Sequence, residues 1–117
     1  MRASLRTDLT AALKTRDRVA VTALRSALAA IENAEALPSD GRLDTSTGSE
    51  HVAGAAAGLG AAEAGRRRLT DADLRSIVEN EVRERSAAAR EYERLGRDDQ
   101  AERLRAEAEV LARYLTA

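Results

Sequence analysis

Residues 69–115 read LTDADLRSIVENEVRERSAAAREYERLGRDDQAERLRAEAEVLARYL and carry the marks of two consecutive helices with a sharp turn between them. Thr70-Asp71-Ala72-Asp73 has capping-box spacing, with Asp in place of the usual Glu, and Leu69 and Leu74 occupy the positions of a hydrophobic staple. From there Leu74, Ile77, Val78, Val82, Ala88, Ala89, Tyr92 and Leu95 follow a helical stripe. Gly96 is a natural residue for the left-handed turn that ends a helix. The next helix is expected to start at Asp98 or Asp99, with Asp99-Gln100-Ala101-Glu102 as a second capping box and Ala101, Leu104, Ala108, Leu111 and Leu115 as its stripe. The polar faces offer the i,i+4 pairs Glu79–Arg83, Glu81–Arg85, Arg105–Glu109 and Glu109–Arg113. Each such pair contributes only ~0.2–0.5 kcal/mol.

Working back toward the N-terminus, Leu5, Leu9 and Leu13 recur every four residues beside Ala12, and Ser4 is placed to cap that helix. The stripe then shifts phase to Ala20, Leu24, Ala27, Leu28 and Ile31, with Asp17 as the expected cap of a second helix. Pro38 disfavours helical geometry at Leu37, so this helix should end near Ala36. Between the two helical pairs lie six of the seven glycines and a Ser/Thr/Asp cluster. Ser39–Ser49 reads as a loop, and Val52–Ala64 as a glycine-weakened helix or a mobile stretch, together a partly ordered excursion. No segment alternates with period two, which predicts no sheet. The expected fold is all-α: a single domain over 1–117, a four-helix bundle of two helical hairpins (helices about 4–15, 17–36, 70–95 and 98–115), with a long Gly/Ala-rich excursion over 37–69.

Composition narrows the function classes. A chain of 117 residues is one domain's worth, and the absence of cysteine removes disulfides and thiolate chemistry. There are 26 alanines, no Trp or Phe and two Tyr, so the core must come from few Leu, Ile and Val side chains. Net charge is -1, which excludes a simple polycation that coats nucleic acid. The charge is unevenly placed: +2 over 1–37, -3 over 38–65 and 0 over 66–117. The start, Met1-Arg2-Ala3-Ser4-Leu5-Arg6, has no apolar signal region. The most apolar run, Val52 to Ala62, is too short to span a bilayer. A cytoplasmic protein without membrane contact is therefore expected.

Catalytic and cofactor motifs are not found. The only histidine is His51, nothing near it resembles a nucleophile elbow, and the carboxylates are mostly spaced to pair with Arg, so neither a metal site nor a catalytic triad is expected. Gly54-Ala55-Ala56-Ala57-Gly58-Leu59-Gly60 lacks the Lys-Ser/Thr, the preceding strand and the spacing of a phosphate loop. No cofactor is expected. Tyr92 and Tyr114 read as structural, with the ring buried and the hydroxyl at the rim. What remains is positive charge. Lys14, Arg16, Arg18 and Arg25 gather around the junction of the first two helices, and Arg66-Arg67-Arg68 is the densest basic run. These seven are the candidate phosphate contacts, against the plainer reading of solvated corners.

Several stretches together resemble the GatB/YqeY family. They are Lys14-Thr15-Arg16-Asp17 with Leu24-Arg25, then Ala29-Ala30-Ile31-Glu32-Asn33-Ala34-Glu35. Further along come Asn80-Glu81-Val82-Arg83-Glu84-Arg85 to Tyr92-Glu93, Gly96-Arg97-Asp98-Asp99-Gln100-Ala101-Glu102, Ala106-Glu107-Ala108-Glu109-Val110-Leu111 and Tyr114-Leu115. The resemblance covers roughly 5–37 and 70–115, and Gly48–Leu69 looks like the longer excursion of the family's actinobacterial branch. It implies an all-α N-terminal domain, in the family commonly followed by a smaller helical domain similar to the tail of GatB. GatB belongs to the glutamine-dependent amidotransferase that amidates misacylated tRNA, and its tail contacts tRNA. The family label is therefore carbon–nitrogen ligase with glutamine as amido-N-donor.

Where the family usually continues with Pro and that second domain, this sequence has Thr116-Ala117. The expectation is a chain lacking both the tRNA-binding tail and the amidotransferase cradle, and not an enzyme on its own. The first reading is a non-catalytic accessory domain linked to tRNA-dependent amidotransferase or tRNA metabolism. It would dock to a protein partner or present its basic helix junction to tRNA. The rival readings are an amidotransferase-associated activity, as the family label says, and a homo-oligomeric structural module joined through the glycine-rich stretch.

Overall fold

A computed structural model describes residues 1–36 and 68–116. Among them stand four helices and no strand: α1 (Arg2–Thr15), α2 (Arg18–Ala36), α3 (Asp71–Arg94) and α4 (Asp98–Ala112). The all-α reading holds. The expected Gly/Ala-rich excursion, including Ser39–Ser49, Val52–Ala64 and His51, lies outside the described residues. Residues 1–31 and 70–117 form one compact unit, and 32–69 a second. The buried side chains of all four helices belong to the first.

The ends of the helices follow from local chemistry. The Thr70 hydroxyl accepts from the Asp73 N–H at 3.1 Å while Asp73 Oδ2 accepts from the Thr70 N–H at 2.9 Å, which is the reciprocal box expected at the start of α3. At its far end, the Gly96 N–H reaches the Glu93 carbonyl at 3.0 Å and the Arg97 N–H reaches the Tyr92 carbonyl at 2.8 Å, with Gly96 at φ 77°. This is the paired bonding of a Schellman motif, which needs one residue in left-handed geometry. α1 closes in the same way, through Arg16 N–H to the Leu13 carbonyl at 3.3 Å and Asp17 N–H to the Ala12 carbonyl at 2.9 Å. Here, however, Arg16 takes the left-handed position, at φ 60°. Asp17 then caps α2, its Oδ1 accepting from the Ala20 N–H at 3.1 Å.

Two expected caps are not made. α1 starts at Arg2 with Met1 as its cap residue, so Ser4 lies inside the first turn and not at the cap, and no side chain caps the helix. α4 starts at Asp98 with Arg97 as cap residue and no side-chain cap bond. Asp98 and Asp99 instead fill the first turn, where negative charge meets the positive end of the helix dipole. α4 ends at Ala112, and Arg113–Leu115 continue as turn rather than helix.

α3 and α4 form an antiparallel hairpin with close backbones along its length. Three cross-links run in antiparallel order: Arg75 to the Leu115 carbonyl, Arg85 to Glu107, and Arg105 to Glu93. The core draws on all four helices, with Leu5, Leu24, Ile31, Val78 and Leu111 as its largest fully buried side chains. Alanines 23, 27, 89 and 101 are buried to the same degree, so backbones approach closely where bulk is small. Leu13, expected in the core, is 47% exposed. The cause is the helical period: each four-residue step turns the side chain about 40° past a full circle, so Leu13 has drifted about 80° from Leu5 while Ala12 lies almost above it. Leu95, the last residue of the α3 stripe, is 60% exposed beyond the helix end.

The largest departure from the expected polar faces is at Glu81 and Arg85. Their pair forms at 2.8 Å, yet both side chains are only 12% exposed. They continue the buried seam of Leu74, Val78 and Ala89. Arg85 Nε donates at 3.0 Å to Glu107, the one buried charged side chain among the described residues. The Ser26 hydroxyl of α2 donates to Glu81 Oε1 at 2.8 Å. α2, α3 and α4 are thus joined by one polar chain inside an Ala/Leu core. Elsewhere Glu79 pairs back to Arg75 and Arg105 reaches across to Glu93, where the sequence suggested Arg83 and Glu109 as their partners.

Candidate interaction surface

The α1–α2 corner is built by three consecutive residues. Arg16 reverses the chain in left-handed geometry, Asp17 caps α2, and Arg18 opens it. Lys14, Arg16, Arg18 and Arg25 are all exposed, as their place in the sequence suggested. None of the four makes an ion pair among the described residues. Of the seven arginines of α3 and α4, Arg75, Arg85, Arg94, Arg103 and Arg105 each have a carboxylate partner, while the exposed Arg83 and Arg90 make no ion pair among the described residues. Asp17 is the acidic residue between the corner arginines, and one of its oxygens is already engaged in the cap. Arg18 and Arg25 are two turns apart and so share a face of α2. Arg68 is exposed but belongs to the other unit, and Arg66 and Arg67 lie outside the described residues.

A groove of about 350 Å³ opens at this corner, lined by Leu13, Arg16, Arg18, Val21, Thr22 and Arg103. Leu13, half-exposed, and Val21 supply its aliphatic lining. Arg103 comes from α4 and is 56% exposed, with Glu107 Oε2 at 4.0 Å. Sequence reasoning missed Arg103. On its own it is one more charge on the polar side of α4, and only the return of α4 alongside α1 and α2 brings it to the corner. Arg25 was expected here and lies a turn beyond the lining residues.

A second cleft, lined by residues of α1, α2 and the end of α4, includes Asp8, Thr15, Leu24 and Tyr114. Tyr114 donates its hydroxyl to Asp8 Oδ2, clipping the C-terminal turn to α1. Burial of the phenol, then the hydrogen bond to Asp8 and the negative charge of that carboxylate, push its pKa well above the ordinary phenol value. This hydroxyl therefore stays protonated and structural. Among the described residues no group of three or more His, Asp or Glu side chains is placed to hold a metal ion. No helix among them is long and apolar enough to cross a membrane.

A family model described as YqeY-like protein matches residues 52–117, which include the whole of α3, its caps and α4. The chain belongs to the YqeY-like family. The family match begins after α1 and α2, so the α1–α2 corner lies before the matched residues and only Arg103 of the groove lies within them. Neither a curated protein nor a solved structure matches the chain.

Proposed function

We propose that this YqeY-like chain is a non-catalytic helical interaction domain that works alongside tRNA-dependent amidotransferase and docks an anionic partner at its α1–α2 corner. The observation that supports this reading is the contrast in pairing. Among the described residues five of the seven arginines of α3 and α4 have a carboxylate partner and Arg83 and Arg90 do not, whereas none of Lys14, Arg16, Arg18 and Arg25, gathered at one corner, has one. Unmatched cations on a chain with net charge -1 concentrate attraction for anions at one place. The link to amidation rests on the family alone.

A gel shift with uncharged tRNA as polyanion probe tests the reading. A shift is expected at low salt and its loss near 0.15 M, since such contacts release counterions and weaken steeply with salt. Arg16→Gln with Arg18→Gln should abolish the low-salt shift, and Arg75→Gln with Arg94→Gln should leave it. No shift at low salt, or a shift insensitive to the corner pair, would count against the docking surface. Ammonia release from glutamine by the purified chain would count against a non-catalytic role.

A further inference from the structure

We infer that the occupant of the corner groove is an acidic protein segment that inserts one aliphatic side chain between arginines. This deepens the docking reading and rests on it. Covering a leucine that is 47% exposed with an apolar group is favourable, and the groove of about 350 Å³ that Leu13 and Val21 both line has room for a side chain of similar size. Three arginines, Arg16, Arg18 and Arg103, line the same groove. Charge complementarity therefore calls for carboxylates flanking the apolar anchor. Arginine suits this task because its planar fork meets a carboxylate with two parallel hydrogen bonds.

Nucleic acid fits the same groove less well. No aromatic side chain lines it, so a base has no ring to stack on. A phosphate backbone would satisfy the arginines and leave Leu13 and Val21 in water. An acidic segment satisfies both halves of the surface at once. Its binding should also resist salt better, because the apolar part of the contact is not screened.

The test is fluorescence anisotropy at about 0.15 M salt with a labelled peptide in which one leucine is flanked on each side by glutamates. The control peptide carries alanine in place of that leucine. The leucine peptide should bind, and the alanine peptide should bind about tenfold or more weakly, the cost of leaving an aliphatic anchor uncovered. Leu13→Gln, an exposed change to another good helix former, should weaken the leucine peptide by a similar factor and leave the alanine peptide unchanged. The peptide comparison keeps the test decisive even if the Leu13 variant folds poorly. If both peptides bind alike and Leu13→Gln changes nothing, while Arg16→Gln with Arg18→Gln weakens both, the groove is a plain anion surface. The inference then fails and the docking reading stands. If neither peptide binds and the corner arginines also leave the tRNA shift unmoved, both fail together.

Discussion

Arg16 and Gly96 occupy equivalent places, each ending a helix in left-handed geometry, at φ 60° and φ 77°. Only Gly96 is free of the clash that a Cβ makes in that conformation, which costs roughly 1–2 kcal/mol for an L-residue. Nothing lies within 4 Å of the place a Cβ would take at Gly96, so the effect of a side chain there is purely conformational. Gly96→Ala should destabilise the chain by about 1 kcal/mol, and Arg16→Gly should stabilise it by about 0.5–1 kcal/mol after the greater freedom of glycine in the unfolded chain is allowed for. Urea unfolding followed by far-UV circular dichroism measures both, the chain having no Trp for fluorescence. The two sites differ in legibility for the same reason. A glycine after an apolar stripe announces a left-handed turn, whereas an arginine announces only charge. Arg16→Gly should also weaken polyanion binding while it stabilises the fold, which separates the corner's binding role from its structural one.

At the scale of the helices, the apolar stripes were readable because a 3.6-residue period places Leu24, Ala27, Leu28 and Ile31, or Leu74 and Val78, on one face. The same rule taken one step too far put Leu13 inside. It also left Glu81 and Arg85 on a polar face and gave no sign that Glu107 is buried, since charged residues at i,i+4 look alike whether exposed or buried. Only the antiparallel return of α4 shows that Arg85 bridges Glu81 and Glu107 within the core. Removing the shared cation leaves two poorly solvated carboxylates without it. Arg85→Met should therefore cost about 3 kcal/mol, at the low end of what breaking a buried ion pair costs. Glu81→Leu and Glu107→Leu added to Arg85→Met should restore most of that loss, because an apolar replacement of the whole network has no charge left to desolvate. Urea titrations of the single and triple variants measure the difference. A loss below about 0.5 kcal/mol for Arg85→Met would place the network in the class of surface pairs.

Across the molecule, the sequence showed a positive N-terminal region but could not show a surface. Lys14, Arg16, Arg18 and Arg25 were legible because they are close in the chain. Arg103 was not, because its neighbours at the corner are more than 80 positions away and only the fold brings them together. The groove that results sets the aliphatic Leu13 and Val21 beside the unmatched Arg16 and Arg18 and the Glu107-paired Arg103, and the docking reading stands on the unmatched cations. Its most direct test is a backbone amide NMR titration of the whole chain with short polyglutamate at low salt. The predicted result is a contiguous set of shift changes at 13–25 and around Arg103, with α3 near Arg75 and Arg94 unmoved. Changes centred on the α3–α4 turn, or spread evenly over every exposed arginine, would contradict it.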